Sequence, residues 1–319
     1  MNVVEYTRGL HRVAEDVWAW LLPDGGWGWS NAGLVRGKGE SFLIDTLFDL
    51  ELTGEMLGAM ASVTEEHPIR AALNTHANGD HCFGNQLLGP EVTIHATADT
   101  EHEMRHGTTP ERLAGLVAGD HEPLLSEFFR HCFGAFAFDG IILRGPDTTF
   151  DEVRTVDVGG RPVELRRLGP AHTHGDAVAF VPDRGVLFTG DLLFNGGTPI
   201  MWADSISSWI TACDRMIELG PEVVVPGHGA VTDVDGIVTM RDYLAVVRDG
   251  VDASLAAGRS WREAVEHLDL GPYACWPQAE RVVVTVYNAY RGARLETPVS
   301  QATELFAEMA RWRQRHQGK

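Results

Sequence analysis

No stretch of this chain approaches the ~20 consecutive apolar residues of a membrane span. Its first residues, Met1 to Arg8, lack a basic segment followed by an apolar core, so no secretory signal is expected and a cytoplasmic location follows. Cysteine is scarce. Cys82, Cys132, Cys213 and Cys275 are widely spaced, with no CxxC pair, and read as free thiols of a reducing compartment. Positive charge is also short: 26 Lys and Arg stand against 45 Asp and Glu, a net charge of −19. Such a surface repels phosphate backbones, which argues against a nucleic-acid partner. The small cluster Arg161, Arg166 and Arg167 reads as a solvated strand face. No G-x-S-x-G turn occurs, so a covalent serine route is not indicated. Neither a low-complexity linker nor a repeat with a period of about 20–50 residues is visible.

What remains suits one large globular domain, or one domain with an appendage: 319 residues, 44% hydrophobic and 22% charged. Short apolar strands are expected near 16–21, 32–36, 41–46, 69–74, 92–95, 162–168, 177–181, 186–189 and 222–225, and helices near 50–66, 97–106, 110–131 and 206–219. Tight glycine turns join the early strands. Two mixed sheets packed face to face under outer helices fit this order. After about residue 233 the pattern becomes helical. The expected division is therefore a core over 1–235 and a helical C-terminal extension over 236–319, packed on it as pocket wall or dimer surface.

The chemistry concentrates in four segments. Residues 75–81 read Thr-His-Ala-Asn-Gly-Asp-His, placing His76, Asp80 and His81 within six residues. Residues 169–176, Gly-Pro-Ala-His-Thr-His-Gly-Asp, add His172 and His174. An apolar run over 186–191 ends at Asp191, and another over 223–229 ends in a turn that presents His228. Imidazole and carboxylate are ligands for zinc and similar ions. Each group follows a short β-rich run beside Gly or Pro, so all can project from strand ends into one cleft.

In order and context these segments resemble the metallo-β-lactamase superfamily, whose signature is His-x-His-x-Asp-His followed by His, Asp and His. Asn31-Ala32-Gly33 and Phe42 to Asp45 also look like that family's first hairpin. The resemblance spans roughly residues 12–232 and implies an α/β fold, an αββα sandwich of two mixed β-sheets with outer helices. It leaves no room for the large insertion of the nuclease branch. By position, it implies a first metal site of His76, Asn78 and His172, and a second of Asp80, His81 and His228, with Asp191 bridging both. Asn78 departs from the pattern, for a carboxamide stands where the family has its second histidine. One tightly bound zinc at the second position and a weak or empty first position are therefore expected, with iron or manganese as alternatives.

A bound metal lowers the pKa of water toward ~7 and polarises a carbonyl. The resemblance gives Asp80 the role of holding that water. Asp176 and Asp45 are expected to orient ligand histidines, and His174 to support the site or face substrate. Trp27, Trp29, Phe133, Phe136 and Trp202 lie in glycine-containing loops and suggest an aromatic pocket wall, with plain core packing as the alternative. A helical His102-Glu103-Met104-Arg105-His106 matches the HExxH zinc motif but is read as chance. The preferred reaction is hydrolysis of a thioester with a bulky or aromatic acyl group, free or on a carrier protein, as in the polyketide thioesterase/cyclase branch. A lactonase or another ester or amide hydrolase is the alternative within the fold. A small-molecule binder with a degraded site, or a mononuclear iron oxygenase, is the alternative outside hydrolysis.

Overall fold

The computed structural model describes residues 4–203, 205–293 and 302–316. Strands β1 (Gly9–Ala14), β2 (Val17–Leu21), β3 (Ala32–Arg36) and β4 (Ser41–Ile44) form an antiparallel meander. Helix α1 (Leu50–Thr64), capped by the Asp49 carboxylate, carries the chain to β5 (Ile69–Leu73), parallel to β4. The single turn α2 (Gly79–Cys82) leads to β6 (Thr93–Thr97). Helices α3 (Ala98–His106), α4 (Pro110–Ala118) and α5 (Pro123–Phe133) precede β7 (Thr148–Phe150), which completes a sheet in the order β1 to β7.

The second sheet contains β8 (Val153–Val158), β9 (Arg161–Arg167), β10 (Ala177–Val181) and β11 (Val186–Phe188). After β12 (Phe194–Asn195) and helix α6 (Ile206–Glu218), β13 (Val223–Val225) joins it parallel to β11. The order is β13-β11-β10-β9-β8. β14 (His228–Gly229) pairs with β12. Helices α7 (Val234–Ala256), α8 (Trp261–His267), α9 (Val282–Gly292) and α10 (Ala302–His316) follow.

The two-residue period of a strand divides the apolar side chains between two cores. Val17, Ala19, Leu21, Val35, Phe42 and Ile44 meet Val163, Leu165, Ala179, Val186 and Phe188 between the sheets. Trp20, Leu34, Leu43, Phe180 and Leu187 point outward instead. They join Met56, Met60, Trp209, Tyr243, Val284 and Phe306 of the helices in one larger cluster. The C-terminal helices thus share a core with the sandwich. No described helix is long and apolar enough to cross a membrane.

Five strands escape the sequence reading. β1 is mostly half-buried, β8 turns half of its residues outward, β7 spans three residues, and β12 and β14 two each. The expected helix over 110–131 is two helices, broken at Gly119–Glu122 before Pro123, which suits a first helical turn and not a helix interior. The arginines of β9 are paired: Arg161 with Asp16 and Asp183, Arg166 with Glu164, and Arg167 with Asp99.

Gly33 marks a close approach of the sheets. A Cβ there would sit 2.3 Å from the Phe188 ring. Gly33→Ala is expected to destabilise the protein by about 1–3 kcal/mol through overpacking, read as a lowered urea midpoint; an unchanged midpoint would show that the sheets can part locally.

Candidate active site

The four chemical segments emerge at one end of the sandwich. His76 and His81 follow β5, His172 follows β9, Asp191 follows β11 and His228 begins β14. Asp191 lies at the centre. Its carboxylate is 3.0 Å from His81 Nε2, 3.4 Å from His228 Nε2, 3.5 Å from His172 Nε2 and 3.8 Å from His76 Nε2. Asp80 approaches from the other side, 3.4 Å from His228 Nε2 and 3.9 Å from His81 Nε2.

Each imidazole is held by its other nitrogen. His172 Nδ1 donates to the Ile200 carbonyl at 2.6 Å, and His228 Nδ1 to the Trp29 carbonyl at 3.1 Å. His81 Nδ1 donates to Asp45 at 2.9 Å. Thr75 Oγ1 gives its proton to Asp45 at 2.8 Å and so accepts from His76 Nδ1 at 3.1 Å. With every Nδ1 committed outward, the neutral rings turn Nε2 lone pairs inward, the tautomer that ligates a metal.

That arrangement fits a cation. The Nε2 atoms of His76 and His81 and Asp191 Oδ1 are buried without a hydrogen-bond partner. Asp80, His81, Asp191 and His228 place their donor atoms 3.0–3.9 Å apart along these contacts. A tetrahedral ion with bonds of ~2.1 Å needs ligand separations of roughly 3.4 Å. At the first position the set differs. The Asn78 side-chain amide lies 2.7 Å from His172 Nε2 and occupies that nitrogen. The atom facing it is Asn78 Oδ1, an acceptor against an acceptor once Nδ1 donates to Ile200; a half-turn of the amide that brings its N–H there would satisfy the nitrogen.

The protons of the metal-free cluster follow its charges. Burial alone would depress the His81 pKa, yet Asp191, Asp45 and Asp80 together push it well above the usual histidine value. Burial also opposes His228, which Asp191 and Asp80 raise. Burial dominates at His76 and His172 and holds both low. Asp191 goes well below the carboxylate range: burial would raise it, but His228, His81 and His76 outweigh that.

Asp45 supports the cluster from behind. It adopts φ of 61°, a left-handed conformation that costs a non-glycine residue about 1–3 kcal/mol. There its carboxylate accepts from Thr75 N at 2.7 Å, from Thr75 Oγ1 and from His81 Nδ1. Asn31 ties the first sheet to the His228 turn, donating to the carbonyls of Pro226 and Gly229 at 3.0 and 2.8 Å. Asp176 does not touch a ligand histidine. It accepts from the Thr173 backbone N–H and hydroxyl, and so holds the loop that carries His172. Burial pushes its carboxyl up to about 8 against those donors.

A cavity of about 340 Å³ opens onto the cluster. Trp27, Phe133 and Trp202 line it, together with Phe48, Phe83, Phe194, Phe306 and Arg281. Trp29 and Phe136 are not among its lining residues; they pack on each other with ring centres 4.9 Å apart. His174 is half exposed and pairs with Glu103 at 2.8 Å, away from the histidine cluster. His102 and His106 stack on the exposed face of α3, apart from the site. Cys82 is buried, and its thiol reaches the Asn78 carbonyl at 3.3 Å. Phe306 and Arg281 went unread in the sequence because no local motif marks them. Only the distant helices bring them here.

The sheets, their outer helices and the strand-end cluster define a metal-dependent hydrolase of the αββα class. The chain belongs to the metallo-beta-lactamase superfamily, whose sequence model matches residues 25–228. It is 26% identical over 212 residues to the human acyl-coenzyme A thioesterase MBLAC2, covering 62% of this chain and 72% of that protein. Over 160 residues it is 25% identical to a hydroxyacylglutathione hydrolase of Thermosynechococcus vestitus, 49% of this chain and 48% of that one. Among solved structures it resembles the sec-alkylsulfatase Pisa1 of a Pseudomonas species, with TM-score 0.69 and 16% identity over 92% of this chain and 52% of that chain. The chain thus spans about half the length of that alkylsulfatase. A metallo-beta-lactamase from Pontibacter korlensis gives TM-score 0.56 and 20% identity over 75% of this chain and 99% of that one.

Asp45→Asn keeps the volume but removes an acceptor for His81. Metal affinity measured by chelator competition is expected to fall about 10- to 100-fold, with circular dichroism unchanged; an unaltered affinity would assign Asp45 a purely structural task.

Proposed function

We propose that this hydrolase cleaves a thioester with a bulky apolar or aromatic acyl group, using one zinc ion held by Asp80, His81, Asp191 and His228. The observation that carries the reading is the aromatic cavity that opens onto Asp80, Asp191 and His228, with His81 3.0 Å from Asp191 and grouped with Asp80 and His228 as a possible metal set. The thioesterase names among the relatives support the bond type. Coenzyme A or a carrier protein would present the acyl group from the cavity mouth, and a polyketide chain is one acyl class that fits aromatic walls.

The ion supplies an activated water at neutral pH and an electrophile for the acyl oxygen. The chain's residues do the rest. Asp80 is the most open carboxylate of the set, its side chain 12% exposed against 4% for Asp191. It holds the attacking water against the acyl carbon and takes its proton. Phe48, Phe133, Trp202 and Phe306 clamp the acyl group and exclude bulk water. Trp202 is itself fixed, its backbone N–H donating to the His172 carbonyl at 2.7 Å. Asn78 fills the first position with an amide, so a mononuclear centre follows.

Two measurements test this. Protein purified without an affinity tag should carry about one zinc per chain, rising toward two in Asn78→His; no uptake of metal after zinc is supplied would defeat the reading. On aromatic acyl thioesters, Trp202→Ala is expected to raise KM about tenfold, in line with a lost apolar contact of roughly 1.5 kcal/mol. Trp29→Ala, outside the cavity, should leave KM unchanged; equal effects of the two would place the substrate elsewhere.

A further inference from the structure

The cavity wall contains a buried cation that no carboxylate of the described residues reaches as a salt bridge; Glu280, Asp191 and Asp80 act on it only through space. Arg281 sits in the turn before α9, beyond the residues that match the superfamily, and is 2% exposed. Its guanidinium makes one hydrogen bond, from Nη1 to the Thr198 carbonyl at 3.2 Å, and its Nε has no acceptor. Among the described residues it forms no ion pair. Glu280 beside it instead accepts from the Trp27 indole at 3.2 Å. What holds the guanidinium is aromatic: it lies 4.5 Å from the Trp27 ring centre and 5.3 Å from that of Phe194. Phe194 in turn stacks on His228, at 5.0 Å and 1°.

A buried charge without a partner is expensive, and aromatic faces compensate only part of the loss of water. Arginine presents five donors in a fork that matches an oxyanion in two-point fashion. This one has donors to spare, borders the cavity, and stands one aromatic ring away from a metal-ligand histidine.

We infer that Arg281 is an anion-recognition residue: the substrate is an anionic amphiphile whose oxyanion group, a carboxylate or a sulfate, pairs with Arg281 while its apolar body fills the aromatic cavity. The inference rests on the hydrolase reading of the same site and adds the charge of the substrate.

Calorimetric titration of the zinc-loaded full chain with octyl sulfate, octanoate and 1,2-octanediol tests it without turnover. Both or either of the anions should bind about tenfold or more tightly than the diol, the scale of a charge-assisted hydrogen bond; the stronger of the two identifies the oxyanion. Arg281→Met should remove that preference and Arg281→Lys keep part of it. Equal binding of all three probes by the wild type overturns the inference, whether or not the Met variant folds. So does a preference that survives Arg281→Met, or one that disappears on chelation yet ignores Arg281→Met, since the anion would then sit on the metal. Because binding is read directly, a chain that prefers anions but cleaves no thioester would refute the thioesterase reading alone.

Discussion

Four imidazoles converge their Nε2 atoms on the carboxylate of one buried aspartate, and the rest of the site is arranged around that convergence. Lone pairs facing a carboxylate repel one another unless positive charge lies between them. The carboxylates around His81 and His228 accordingly push both rings above the usual histidine value despite burial. A divalent ion held by these residues would supply positive charge there, and since ligating imidazoles and carboxylates must be deprotonated, its binding would be linked to proton release. The neutral His76 and His172 share the cluster without competing for a proton, because burial keeps them uncharged. Asn78 sets a neutral amide against the nitrogen of one of them. The division between a charged half and an amide-capped half is thus set by a single side chain.

Such convergence is held only by a scaffold that cannot relax. Each ring is anchored through Nδ1 to an acceptor fixed by the sandwich: backbone carbonyls for His172 and His228, the buried Asp45 carboxylate for His81, and the Thr75 hydroxyl for His76. Asp45 can serve both the Thr75 backbone and His81 because the chain turns through a left-handed conformation directly after β4. Gly190 and Gly227 allow the Asp191 and His228 turns to pass close together; a Cβ on Gly227 would meet Asp191 Oδ1 at 2.1 Å. Strain at Asp45 and the missing side chain at Gly227 therefore serve the same geometry.

How much of this the sequence revealed depends on whether the signal was local. Asp80 and His81 share a short motif beside β5, while His172, Asp191 and His228 each end an apolar run, and such patterns are read from a few neighbouring residues. The central strands were legible for the same reason: β10 and β11 are continuously apolar because both faces are buried. β8 alternates so weakly that its period was lost among charged residues. The cavity wall was read only in part. Trp27 and Trp202 were visible as aromatics in glycine-rich loops, but Trp29 carries the same local signature and packs elsewhere. Nothing within ten residues distinguishes them; the difference lies in what α5 and α10 bring alongside.

Arg281 shows most clearly why function could not be completed from motifs. In the chain it is one cation among many, preceded by a glutamate that would ordinarily neutralise it. In the fold, Glu280 accepts from the Trp27 indole and acts on the guanidinium through space without a salt bridge, and the guanidinium lies against two rings. The superfamily's strand ends provide ligands that act on a reacting centre whatever is attached to it. On the proposed reading the later helices decide what can be attached, because Phe306 of α10 packs 5.9 Å from Trp27 and Arg281 lies 4.5 Å from the same ring. On that reading, reaction type and substrate choice are carried by different parts of one chain. They would meet at His228, whose ring faces Asp191 at 3.4 Å and stacks on Phe194, which in turn lies 5.3 Å from the Arg281 guanidinium. A change in the helical region can therefore alter which substrate enters without disturbing the geometry at Asp191.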